Sequence, residues 1–158
     1  MVVYTELLWL SVVMLPTCTA LPTQAKSTIN SINYTVMIAQ TTLVHIKKTW
    51  TLGTARPPIP MGPPSIGDLN SISQYLSLLE AELNGLALEP LAQILADVSS
   101  LNGSVRYLAV TLHCLLDAAH PVRVEEGRFP EVRVHESLMK IQVYLEELLL
   151  HTDQLGAC

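Results

Sequence analysis

Apolar residues recur at alternating steps of three and four positions in four separate segments of the chain. These segments run from Ile29 to Trp50, from Leu69 to Leu86, from Leu91 to Leu115 and from Val134 to Leu155. This spacing places the apolar side chains on one face of a helix and leaves polar side chains on the opposite face. Four such helices can bury their apolar faces in one shared core, so the pattern predicts an all-α four-helix bundle.

Glycine and proline residues mark the ends of these predicted helices. Gly53 follows the first segment and Gly85 lies one position before the end of the second, and a left-handed C-terminal cap is expected at both. Pro90 and Pro130 open the third and fourth segments, because proline is favoured at the first position of a helix. Gly103 falls inside the third segment, where glycine costs about 1 kcal/mol relative to alanine. We therefore expect a bend at that point.

The lengths of the connections predict how the helices run. Residues 85–89 form a short connection, which makes the second and third helices antiparallel neighbours. Residues 53–67 and 117–129 form long connections, and the first of these is rich in proline. An extended connection of this kind reaches up to ~50 Å, whereas the second helix is only ~26 Å long. Both long connections can cross the bundle, which predicts an up-up-down-down topology with two long crossover loops.

The start of the chain differs in character from the rest. An apolar segment, residues 7–15, is followed by small residues at Cys18 and Ala20. The segment is too short to span a bilayer, which takes roughly 20 residues, and it is typical of a secretory signal. No Lys or Arg precedes it, and a buried N-terminal helix is the alternative. We predict a signal peptide, residues 1–20, and a secreted helical domain, residues 21–158.

The cysteines bear on the compartment and on the fold. Cleavage after Ala20 would remove Cys18 and leave Cys114 and Cys158. In an oxidising compartment an even pair of cysteines usually closes into a disulfide, and two free thiols are the alternative. The closed loop of about 45 residues would stabilise the fold by roughly 4 kcal/mol.

Two tripeptides match the acceptor sequence for N-linked glycosylation. They are Asn33-Tyr34-Thr35 and Asn102-Gly103-Ser104. Glycans are added in the secretory pathway, so both tripeptides accord with the predicted signal peptide. Such tripeptides also arise by chance, and the sequence leaves open whether Asn33 or Asn102 is modified.

Composition and the remaining motifs argue against several kinds of function. The chain has 158 residues, of which 49% are hydrophobic, and a net charge of −5. That charge disfavours nucleic-acid binding, and no second long apolar segment predicts membrane insertion. His113 beside Cys114 is a candidate catalytic or metal-binding pair, but adjacent side chains on a helix point about 100° apart. The other histidines show no metal-ligand spacing. We expect no enzyme and no cofactor.

Several short stretches resemble the leptin family of helical cytokines. Leu112-His113-Cys114 and Gly156-Ala157-Cys158 stand where leptins pair a cysteine at the end of the third helix with the last residue of the chain. The remaining points of similarity are Ile59-Pro60-Met61-Gly62, the segment 127–132, and the spacing of Ile29, Ile32 and Val36. Identity outside these points is low, so the chain resembles a divergent leptin of the fish type.

The resemblance implies a hormone that is a monomer when free and that acts on a leptin-type class I cytokine receptor. Binding to the receptor ectodomain would assemble receptor chains, so that associated kinases phosphorylate each other, with energy balance and feeding as the outcome. The alternatives are another long-chain helical cytokine and a secreted helical carrier of an apolar ligand. A carrier would have a cavity accessible to dyes, whereas a cytokine would have a dry core.

The resemblance also implies two receptor surfaces. The binding surface would lie on the first and third helices, and the activating surface on the first long loop and the start of the fourth helix. Residues at the matching positions for binding are Asn30, Ser31, Thr35, Asn102, Arg106 and Tyr107. Those for activation are Ile59, Pro60, Phe129 and Pro130. An ordinary solvated helix face is the alternative for the first set.

Overall fold

The computed structural model describes residues 21–50, 62, 65–118 and 129–158. Within these residues the chain forms four α-helices and no β-strand. The helices are α1, Leu21–Trp50; α2, Leu69–Leu86; α3, Ala92–Thr111; and α4, Pro130–Leu150. Short 3₁₀ turns, Glu89–Leu91 and Thr152–Gly156, precede α3 and follow α4. The predicted all-α four-helix bundle is confirmed, whereas the predicted signal peptide lies outside the described residues.

The core lies along the apolar stripes of the four helices. Each helix contributes side chains with no exposed surface, among them Ile46, Leu76, Leu101 and Ile141. Burying one Leu or Ile side chain contributes about 1.5–3 kcal/mol. The stripes therefore supply the main driving force that brings the four helices together.

Two residues at the ends of the predicted stripes lie outside this core. Ile29 is 58% exposed, because it lies where α1 reaches the last turn of α3 and little of the bundle remains to cover it. Leu115 is almost fully exposed, because α3 has already ended at Thr111. Periodicity placed both residues in the core, and both placements were wrong.

Hydrogen bonds across the bundle show how α1 and α3 are paired. In the bundle, α1 and α2 each pack against both α3 and α4, and two polar contacts join α1 to α3. The hydroxyl oxygens of Thr35 and Ser104 lie 2.6 Å apart, and the ring Nδ1 of His45 contacts the carboxylate of Asp97. Residue numbers rise along α1 while those of its partners fall along α3, so these two helices are antiparallel.

Contacts between α2 and α4 show the same relationship. The rings of Tyr75 and Tyr144 are 4.3 Å apart, and the hydroxyl of Ser137 donates to the Glu82 carboxylate at 2.7 Å. Antiparallel pairing of α1 with α3 and of α2 with α4 is what an up-up-down-down bundle requires. That topology stays a prediction, because most of both long connections lies outside the described residues.

Some helix ends differ from those predicted. α2 continues through Gly85, since Leu86 still packs on the core, and the left-handed residue that ends it is Ala87 with φ 47°. α3 passes through Gly103 without a break. α4 begins at Pro130 as predicted, but it ends at Leu150 and a separate 3₁₀ turn completes the fourth stripe.

The end of α3 turns the chain back toward the C-terminus. His113 adopts a left-handed conformation with φ 59°. Its N–H donates to the carbonyl of Val110 at 3.1 Å, and the N–H of Cys114 donates to the carbonyl of Ala109 at 2.8 Å. These two bonds form a Schellman cap, which satisfies carbonyls left free by the helix. The turn brings Cys114 to Cys158, with a Cα–Cα distance of 5.3 Å, and the predicted disulfide is confirmed.

The C-terminal segment also closes the start of α2. The carbonyl of Ala157 accepts the N–H of Leu69 at 3.1 Å, which satisfies one of the free amides at the helix N-terminus. Asp68 caps the same helix by accepting from the N–H of Ser71 at 2.9 Å and from its hydroxyl at 2.8 Å. These bonds to Ser71 lower the pKa of Asp68 below its ordinary value of 3.8. The disulfide therefore anchors the C-terminal segment between the start of α2 and the end of α3.

Candidate functional site

An open groove of about 410 Å³ runs between α1 and α3 on the surface of the bundle. On each helix the lining residues are separated by three or four positions, apart from the adjacent pair Asn30 and Ser31, so they share one face and form a polar stripe beside the apolar one. They are Ser27, Asn30, Ser31 and Tyr34 on α1, and Ser100, Ser104 and Tyr107 on α3. The same periodicity that packs the two helices also aligns these polar side chains along their seam.

Two tyrosines flank this α1–α3 groove, one on each helix. Tyr34 is 56% exposed and Tyr107 is 59% exposed. A tyrosine presents a large ring with few rotatable bonds and ends in a hydroxyl, so it binds protein surfaces at a low entropic cost. The groove therefore combines two rigid aromatic groups with the adaptable hydroxyls of its serines.

A hydrogen bond holds the two helices together beneath the groove. Thr35 is fully buried and donates its hydroxyl proton to the carbonyl of Ser31 at 2.9 Å. Because Thr35 has only that proton to give, the donor in its contact with Ser104 is the serine hydroxyl. The bond fixes the spacing of the two helices at the point where the groove forms.

The structure distributes the six candidate binding residues over three environments. Asn30, Ser31 and Tyr107 line the groove. Thr35 and Asn102 are buried, so neither side chain is accessible to a partner in this fold. Treating these two residues as surface positions was wrong, because each lies on the side of its helix that faces another helix.

Arg106 lies in the third environment, on the exposed surface away from the groove. It follows Ser104 by two positions and precedes Tyr107 by one, so it projects about 100° from Tyr107 around α3. Sequence reasoning missed Tyr34 and the serines at positions 27, 100 and 104. Steps of three or four positions, taken from Ser31 on α1 and twice from Tyr107 on α3, were the signal that could have found them.

Asn102 belongs to a polar cluster between α2 and α3. Its Oδ1 accepts from the hydroxyl of Ser73 at 3.1 Å, and its Nδ2 donates to Ser77 at 2.9 Å and to Glu80 at 3.3 Å. Buried polar groups need such partners, because an unpaired one costs about 1–3 kcal/mol. Asn102 therefore joins α2 to α3 and has a structural role.

The start of α4 presents a second exposed feature. Phe129 is 81% exposed, and Pro130 and Val132 beside it are exposed as well. The Phe129 carbonyl accepts the N–H groups of Val132 and Arg133 at 3.1 and 3.2 Å, so the backbone that carries the ring is held in the first turn of the helix. The other two candidates for activation, Ile59 and Pro60, lie outside the described residues.

A comparison with curated proteins identifies the family. The chain is 34% identical to Leptin-B of Oryzias latipes over 152 residues, which are 96% of each chain. The chain belongs to the leptin family. It resembles a divergent fish leptin, as the short motifs suggested. No protein-family model and no solved structure matches the chain.

Membership in the leptin family identifies this chain as a leptin-type cytokine hormone. The residues that the structure describes contain no group of three or more His, Cys, Asp or Glu side chains placed to hold a metal ion. In the same residues, no helix combines the length and the apolarity that crossing a membrane requires.

Proposed function

We propose that this leptin-family chain is a secreted hormone that binds and assembles a class I cytokine receptor. Assembly brings receptor-associated kinases together and starts phosphorylation inside the cell, in the control of energy balance and feeding. The observation that carries the proposal is the 34% identity to Leptin-B across 96% of both chains. The free hormone is a monomer of the 21–158 domain, released when a signal peptide at residues 1–20 is removed.

The α1–α3 groove is the proposed contact that binds the receptor. Tyrosine is enriched among the residues that dominate binding energy, especially where water is excluded around them. Tyr34 and Tyr107 stand on opposite sides of the groove, so a receptor loop inserted between them would contact both rings. Asn30 and Ser31 supply hydrogen-bonding groups on the same lining.

Phe129 and Pro130 are the proposed contact that activates the receptor after binding. An exposed phenylalanine gains nothing from the core of its own bundle, whereas burying it in a second protein removes its apolar surface from water. A second contact at the start of α4 gives one hormone two faces and allows it to hold two receptor chains. Ile59 and Pro60 are proposed to belong to the same face.

The test of this function is a signalling assay. The oxidised protein, residues 21–158, is added to cells that carry a leptin receptor from a matching species and to cells without it. We expect phosphorylation of the downstream transcription factor in receptor-bearing cells alone. Silence from a correctly folded and oxidised sample would contradict the proposal. The function would then move to another cytokine receptor or to transport of an apolar ligand.

A further inference from the structure

The two glycosylation tripeptides of the chain occupy different environments in the bundle. Asn33 is exposed on α1, whereas Asn102 is only 5% exposed between α2 and α3. The sequence does not distinguish them, because both satisfy the rule of Asn followed two positions later by Ser or Thr. An attached glycan is bulky and must stand in solvent. The fold therefore separates one usable site from one that is unusable.

The Asn102 side chain has no room for a sugar. Its Nδ2, the atom to which a glycan would be joined, already donates to Ser77 and Glu80. A sugar on that nitrogen would replace a donated proton and would have to fit between two packed helices. A chain modified at Asn102 would be unable to close α2 on α3, so the folded, secreted molecule leaves this residue bare.

Asn33 has an apolar neighbour on either side along α1. Residues four positions apart lie next to each other on a helix, which places Asn33 between Ile29 and Met37. These two side chains are 58% and 52% exposed. A glycan on Asn33 would cover the exposed apolar surface of both, which a protein in solution otherwise leaves open to association.

Thr35, the third residue of the Asn33 tripeptide, determines when a glycan can be attached. The hydroxyl of Thr35 is buried and bonded to Ser31 and Ser104, so it is inaccessible once α1 packs on α3. Enzymes that attach N-linked glycans recognise this hydroxyl together with the asparagine. Attachment must therefore come first and packing of α1 second.

We propose that Asn33 carries an N-linked glycan, attached before α1 packs against α3, and that Asn102 stays unmodified. In the reaction, Nδ2 of Asn33 bonds to the anomeric carbon of an oligosaccharide donor, and the bond from that carbon to the donor's lipid pyrophosphate breaks. The amide loses one proton, and the pyrophosphate leaves with the electron pair. The proposal rests on secretion, which is part of the proposed function.

The position of Asn33 also gives the glycan a role at the α1–α3 groove. Asn30, which lines the groove, precedes Asn33 by three positions and is its neighbour on the helix. A glycan at Asn33 therefore stands at the edge of the groove and restricts the approach of a partner. Unglycosylated hormone is accordingly expected to bind its receptor more tightly than the glycosylated form.

The decisive experiment uses the full chain expressed in cultured secretory cells and recovered from the medium. Peptide-N-glycosidase in ¹⁸O water converts a glycosylated asparagine to labelled aspartate, which peptide mass spectrometry locates. We expect label at Asn33 and none at Asn102. An enzyme-free sample in the same water is required, because the Asn102-Gly103 sequence deamidates spontaneously. Removal of the glycan should also increase the mobility of the protein on a denaturing gel. The Asn33→Gln variant should show no such shift, and Thr35→Ser, which preserves the tripeptide, should show it.

The timing is tested on unglycosylated protein made in bacteria. Oligosaccharyltransferase with its lipid-linked donor should modify the reduced, unfolded chain and leave the folded, oxidised chain untouched. Secreted protein without a glycan on Asn33, a glycan on Asn102, or modification of the folded chain would each overturn the proposal. A chain that stays in the cytosol would overturn both this proposal and the secretion on which it rests. Receptor signalling by the bacterial protein is measured separately, so failure of the glycosylation proposal is distinguished from failure of the proposed receptor function.

Discussion

The hydroxyl of Ser104 donates to the hydroxyl oxygen of Thr35 across 2.6 Å and joins α3 to α1 beneath the groove. A double-mutant cycle with Thr35→Val and Ser104→Ala should give a coupling energy of about 1 kcal/mol, the net value of one such hydrogen bond. Urea unfolding of the two single variants and the double variant measures it.

A matched control is available on the same helix. Thr41 is exposed and donates to the carbonyl four residues before it, as Thr35 does. Thr41→Val therefore measures the loss of the intrahelical bond alone and should change stability little. Additive effects of Thr35→Val and Ser104→Ala would show that the contact between the helices contributes nothing.

Tyr107 and Arg106 are adjacent in sequence but project in different directions from α3. If the α1–α3 groove binds the receptor, Tyr107→Ala should lower affinity by about tenfold or more, as removal of a central aromatic contact does. Arg106→Ala should have the smaller effect, because Arg106 faces away from the groove. Surface plasmon resonance against the receptor ectodomain gives both affinities, and thermal unfolding should show no change in Tm. Equal losses from both variants would place the binding surface elsewhere on α3.

Phe129 is expected to contribute to receptor activation and not to receptor binding. Phe129→Ala should reduce receptor phosphorylation while the affinity and the Tm stay near those of the wild type, since the ring is 81% exposed and supports no core. Leu150, an exposed apolar residue at the other end of α4, supplies the matched control. Signalling measured at saturating hormone separates a loss of activation from a loss of affinity. A loss shared by Leu150→Ala would mean that the effect is not specific to the start of the helix.

Asp68 should make the free energy of unfolding depend on pH in the acidic range. Bonds to Ser71 lower its pKa in the folded state. The stability that Asp68 contributes is therefore fully present above the ordinary pKa of 3.8 and is lost as pH falls through the lower folded pKa. Asp68→Ala should cost about 1 kcal/mol at neutral pH, and the difference from wild type should shrink below about pH 4.

Asparagine is the matched replacement at this cap, because it accepts the same hydrogen bonds without a charge. Asp68→Asn should therefore retain most of the stability at neutral pH and lose the dependence contributed by this residue. Urea unfolding at several pH values between 2 and 7 measures all three proteins. A constant difference between Asp68→Ala and wild type over that range would rule out the charged cap as its cause.

Removing the Cys114–Cys158 disulfide should destabilise the fold. The cysteines are 44 residues apart in sequence, and loop-closure entropy for this separation amounts to about 4 kcal/mol. The Cys114→Ser, Cys158→Ser double variant and the reduced wild type should show the same loss in denaturant unfolding. The C-terminal segment should also fray, which amide exchange at Leu69 would report, since that N–H donates to Ala157. Unchanged stability would mean that the bundle holds the terminus without the bond.

Much of the bundle follows from the order of residues along the chain. Apolar side chains at a period of 3.6 must share one face of a helix, so the four stripes predicted four helices and most of the core. Pro130 marked the start of α4 because its ring favours the first helical turn and donates no hydrogen bond. The two cysteines that remain after the predicted signal peptide predicted the disulfide by their number alone.

The environments of Thr35 and Asn102 depend instead on the helices beside them. Periodicity counts apolar side chains and assigns polar ones to the surface, yet both residues are buried. Ser104 supplies the hydrogen-bond partner of Thr35, and Ser73 and Ser77 supply those of Asn102. The groove is decided in the same way. Its two tyrosines are 73 positions apart in sequence, and only the packing of α1 on α3 brings them to one seam. The sequence by itself thus determined the helices and their apolar faces, through local periodicity. The tertiary structure alone decided which polar residues are buried and which form the groove, because those outcomes depend on partners from distant parts of the chain.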